Sequence, residues 1–152
     1  MEKVIIYSQN HYIEIKSEDI KNIIESFEGV NEVKNISNLL EDEIMGFDVI
    51  LSRDYVEELL KNEVYEASYD SEEEEAMLFE QAEYMSDAVI DNIKEFIEAR
   101  YNISDYHGAY DIYKVNLEEG IGLTLTLSFG QVKHGRLHKL ASSINNSKTE
   151  LM

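Results

Sequence analysis

The sequence predicts an α+β fold: one domain over residues 1–141, with helices on an antiparallel or mixed sheet, then a flexible polar tail over 142–152. Three observations carry this expectation. A length of 152 residues is close to the common size of one domain. Residues 71–101 repeat apolar side chains at helical spacing, and the residues that follow change to strict alternation. With 43% hydrophobic residues and no cysteine, the chain has to be held by a core and not by disulfides.

Taken in order, Lys3–Ser8 and His11–Lys16 are β-rich runs separated by Gln9 and Asn10, the pattern of a hairpin. Ser17 offers an N-cap, Glu18 and Asp19 suit the first turn of a helix dipole, and Ile20, Ile23, Ile24 and Phe27 follow at helical spacing until Gly29. Val30 to Ile36 predicts a short strand, Ser37 to Met45 a link, and Phe47 to Leu51 a buried strand. Ser52 is placed to cap a second helix with Val56, Leu59, Leu60 and Val64 on one face, broken at Tyr69-Asp70. Ser71 and Glu74 have capping-box spacing and open the longest helix, which runs to about Tyr101. Leu78, Ala82, Met85, Val89, Ile93, Phe96 and Ile97 form its apolar stripe. Tyr110–Asn116 and Gly122–Phe129 then predict a C-terminal hairpin around Glu118-Glu119-Gly120. Its second strand sets Leu123, Leu125, Leu127 and Phe129 against Thr124, Thr126 and Ser128, which predicts one buried and one wetted face.

Charge is the dominant feature. Thirteen basic residues against 32 acidic ones leave a net charge of −19. That is well beyond the magnitude of roughly 2–8 that keeps a small domain soluble. It argues against direct binding to nucleic acid or an anionic membrane, where Lys and Arg must neutralise phosphate. No apolar run approaches a membrane span or a signal peptide, so the cytoplasm is the expected compartment. An acidic bias of the whole organism is the plain alternative reading of the charge.

The charge is concentrated. Between Ser52 and Asp105 there are 17 acidic residues against Arg53, Lys61, Lys94 and Arg100. Glu80, Glu83, Asp87, Asp91, Glu95 and Glu98 recur every three or four residues opposite the apolar stripe, and Glu72, Glu73, Glu74 and Glu75 extend them toward the helix start. A solvated helix face ordinarily mixes signs, because like charges at this spacing repel. Tyrosine combines apolar area with a polar tip, so Tyr65, Tyr69 and Tyr84 are candidate interface anchors within the acidic region. A basic segment, Lys133, His134, Arg136, His138 and Lys139, is suited to dock on the acidic helices of its own chain or of a second copy, which leaves a homodimer open.

Catalytic signatures are missing. Gly120-Ile121-Gly122 lies at a hairpin turn and not at a strand-to-helix junction, and there is no nucleophile elbow, zinc-protease helix motif or calcium loop. Ser104, Asp105 and His107 lie too close in sequence to suggest a triad. His134 and His138 have the spacing of a helical metal pair, but Gly135 lies between them without a companion carboxylate signature. The expectation is a binding protein and not an enzyme, with no cofactor and no metal.

In size, charge, lack of cysteine and the Glu72–Glu98 stripe, the chain resembles the small acidic inhibitors that phages and mobile elements direct against host defence, the anti-CRISPR and anti-restriction proteins. The resemblance implies a DNA-like acidic surface that blocks a basic nucleic-acid-binding protein or nuclease in the host cytoplasm. Immunity proteins against basic toxin nucleases share these features, and a self-associating phage structural or assembly protein is the third reading.

Overall fold

Local pairing accounts for the first elements. β1 (Lys3–Ser8) and β2 (His11–Lys16) form an antiparallel ribbon in which Val4 faces Ile15 and Ile6 faces Ile13. α1 (Ser17–Glu25) follows without a break. In this computed structural model the described residues are 3–8, 11–37, 40, 44–52, 54–55, 58, 71–101, 103, 106–116, 120–129, 132 and 134–150. The cap of α1 differs from expectation. Lys16 is the N-cap and makes no side-chain cap bond, while Ser17 is buried inside the first turn. The Ser17 hydroxyl is taken by Asn35, whose Nδ2 donates to it at 2.8 Å.

β3 (Val30–Asn35), β4 (Ile44–Leu51), β5 (His107–Asn116) and β6 (Gly120–Ser128) form one antiparallel sheet in the order β3-β4-β6-β5. The fold is α+β, and the sheet is antiparallel throughout. The register sets Met45 on Leu127, Phe47 on Leu125, Val49 on Leu123 and Leu51 on Ile121, so one face is a continuous apolar surface. α1 covers it with Ile20 and Ile24, and α2 (Ser71–Tyr101) with Leu78, Ala82, Val89, Ile93 and Ile97. Each of these leucine, isoleucine and valine side chains contributes about 1.5–3 kcal/mol when fully buried. Gly29, at the turn after α1, has φ +94°, and a Cβ there would overlap the Tyr55 ring and the Met85 methyl group. Only glycine accepts both demands at low cost.

The expected wet face of β6 is a correction. Every residue from Gly120 to Phe129 is buried, Thr124, Thr126 and Ser128 included. The cover is α3 (His134–Glu150), which also corrects the polar tail: residues 142–150 complete a helix and Asn145 is buried. The physical reason is polar pairing. Thr124 Oγ1 donates to Asn145 Oδ1, and Asn145 Nδ2 donates to the Asp111 carboxylate at 2.8 Å and to its carbonyl at 3.0 Å. Thr126 Oγ1 donates to the Leu137 carbonyl at 2.9 Å. A polar strand face and a polar helix can pack when each supplies the other's hydrogen bonds. The second helix expected after Ser52 is described only at Asp54, Tyr55 and Glu58, which are helical; Val56, Leu59, Leu60 and Val64 lie outside the described residues. β4 starts at Ile44 and β5 at His107, each three residues earlier than the alternation suggested.

Candidate acidic binding face

Thirty-one residues make α2 about 46 Å long. Burial of Leu78, Ala82, Val89, Ile93 and Ile97 fixes which way the helix is turned. The same rotation sets Glu80, Asp87, Asp91, Glu95 and Glu98 exposed and Glu83 half-buried. At 3.6 residues per turn, members four residues apart advance about 40° around the axis. The row therefore winds slowly across a sector of roughly 120° and spans about 27 Å from Glu80 to Glu98. The structure brings these six carboxylates together on one surface. Glu72, Glu73, Glu74 and Glu75 lie in the first turns of the same helix.

Among the described residues, none of the six is in an ion pair with a lysine or arginine. Lys94 is exposed within the row. Arg100 lies against aromatic rings, 5.6 Å from the Phe96 centroid and 5.5 Å from that of Tyr101. One edge of the row is nevertheless used by the chain itself. Tyr110 on β5 faces Asp87 and Glu83, and its phenol is pushed up to about 12 by burial first, then by the charges of Asp87 and Glu83 and by hydrogen bonding to Asp87. Tyr106 is raised further, by burial and then by Asp91, and its hydroxyl donates to the Ile90 carbonyl at 3.3 Å. Glu80, Asp91, Glu95 and Glu98 are thus the exposed carboxylates of the row without a described hydrogen bond to the sheet.

Of the tyrosines expected as anchors, Tyr84 is 75% exposed, while Tyr65 and Tyr69 lie outside the described residues. Tyr84 stands one turn from both Glu80 and Asp87. Phe79, 40% exposed and one turn before Glu83, was not anticipated. It is adjacent to Leu78 in sequence and was hidden by the apolar stripe beside it. An exposed aromatic therefore flanks the carboxylate row on each side.

Among the described residues the basic segment does not dock on α2, which corrects that part of the expectation; most of the acidic stretch after Ser52, and Lys133, lie outside the described residues. α3 packs on the opposite face of the sheet from α2, and Arg136 and Lys139 are exposed there. His134 and His138 do lie one helical turn apart, with ring centroids separated by 6.4 Å. His134 Nδ1 donates to the Gly108 carbonyl at 3.0 Å, and His138 Nε2 lies 3.8 Å from Asp111 Oδ1. Among the described residues no group of three or more His, Asp or Glu is arranged to hold a metal ion. A void of about 10 Å³ beside Ser86, lined by Val49, Leu51, Val89, Leu123 and Leu125, has room for one water at most. Among the described residues no helix is long and apolar enough to cross a membrane. Comparison with family models, curated proteins and solved structures returned no match.

Proposed function

We propose that the chain is an inhibitory binding protein whose acidic helix face takes the place of a nucleic-acid backbone in the basic channel of a nuclease or another nucleic-acid-binding effector. One observation carries this reading: a helix anchored along its apolar side holds a row of carboxylates outward, with no lysine or arginine paired to them among the described residues. The row steps about 6 Å along the axis for every four residues. Phosphates on one strand of duplex rise about 3.4 Å each along its axis and lie further apart along the backbone itself. A groove of Lys and Arg built for phosphates can therefore meet carboxylates at similar intervals, and the long-range field speeds the encounter. Tyr84 and Phe79 supply apolar contact at the margins.

The test uses Asp91→Lys, Glu95→Lys and Glu98→Lys together, because reversing Glu83 and Asp87 would also disturb Tyr110. The wild-type chain should capture basic nucleic-acid-binding proteins from host lysate at low salt. The triple variant, folded by circular dichroism, should lose them, and nucleic acid should compete with the wild type. Capture that survives the reversal rejects the mimicry.

A further inference from the structure

The β1–β2 ribbon stands apart from the four-stranded sheet. Its inward side chains Ile13 and Ile15 reach the core, whereas Tyr12 is 78% and Ile5 53% exposed on the alternate face. Isolated two-stranded ribbons are marginal in water. Among the described residues β1 has a strand neighbour on one side alone, so its other edge has no described strand to take its backbone N–H and C=O groups. Natural edges are blunted by proline, bulges or charge. β1 reads Lys-Val-Ile-Ile-Tyr-Ser, with a single charge at its end, and its pairing with β2 has no register shift.

We propose that β1 pairs antiparallel with β1 of a second copy across a two-fold axis, joining the two ribbons into one four-stranded sheet in the order β2-β1-β1-β2. Charge selects the second copy as the occupant. In a chain of net charge −19, the stretch from Lys3 to Lys16 holds one acidic residue, Glu14, against two lysines. Two copies therefore meet there with the least repulsion. A two-fold interface has to be self-complementary. Pairing centred on Ile5 sets each Ile5 against its copy and each Lys3 opposite Tyr7, so no like charges face each other in register. The pairing sets each exposed Ile5 side chain against its copy and supplies the edge with backbone partners in one step. It is independent of the acidic face on α2.

Sedimentation gives the first test. The wild-type chain should form dimers by about 100 μM, a range suited to a small interface. Ile5→Lys should be monomeric, as should Ile5→Glu, and mixing the two should restore the dimer mass. The chain has no cysteine, so Ile5→Cys introduces its only thiol. Directly opposed residues of an antiparallel pair have Cα atoms about 4.5–5.5 Å apart, within disulfide reach. Oxidised Ile5→Cys should therefore run as a covalent dimer while Lys139→Cys stays monomeric, which serves even if the charged variants do not fold. A wild-type monomer at about 100 μM, a dimer unchanged in folded Ile5→Lys, or equal cross-linking of both cysteine variants would overturn the proposal. The α2 triple reversal should leave the dimer intact, so failure of either proposal is separable from the other.

Discussion

On one face of the sheet α1 and α2 bury Met45, Phe47, Val49, Leu51 and the leucine row of β6 in a dry core. On the other, α3 meets Thr124, Thr126 and Asp111 largely through hydrogen bonds, beside a small cluster of Ile44, Ala109 and Leu137. The first cover depends on apolar area, which is non-directional and tolerant of detail. The second depends on matched donors and acceptors, which contribute little net energy when satisfied and cost much when broken. The dry side therefore supplies the stability that holds the acidic helix in place. The polar side selects one seating for α3.

Substitutions that strip each cover should separate the two. Phe47 is fully buried, and Phe47→Ala should destabilise the whole domain by about 3–5 kcal/mol, read as a shift of the urea midpoint common to all probes. Asn145→Ala strands the Thr124 hydroxyl and removes a donor from Asp111, and should cost about 1–3 kcal/mol. Its signature is local: amide exchange should accelerate in α3 before it does in α2. Equal acceleration in both helices would show that the two covers unfold as one unit.

The smallest effect lies at the rim of the acidic row. The Tyr110 phenol moves from 10.0 up to about 12 on folding, so the folded state holds the proton more tightly. The stability this contributes is complete below pH 10 and is lost as pH rises through about 12. The wild type should weaken across that window more steeply than Tyr110→Phe, measured by denaturant unfolding at each pH. Identical slopes would show that folding does not raise the Tyr110 phenol. Tyr106 and Tyr113, whose phenols are also raised, remain in both proteins and cancel.

The acidic row was legible because helical period places carboxylates and apolar residues on opposite sides before any fold is known. Its internal division was not. Nothing in the spacing of Glu83, Asp87 and Asp91 indicates that the Tyr110 phenol, on a strand far along the chain, comes to lie against Asp87 and Glu83. The basic segment misled for a related reason. Opposite charges suggested contact with α2, but the sheet lies between them, and α3 instead finds Gly108 and Asp111.

By itself the sequence determined the α+β class, the extent of α2, the hairpin pairings and the location of the charge, because each depends on neighbours within a few residues or on simple periodicity. The tertiary structure alone decided the strand order, the burial of β6 on both faces and the helical state of residues 142–150. Asn145 is a polar residue in a polar segment until Thr124 and Asp111 are brought beside it. Hydrogen-bond complementarity between distant segments leaves no period in either one.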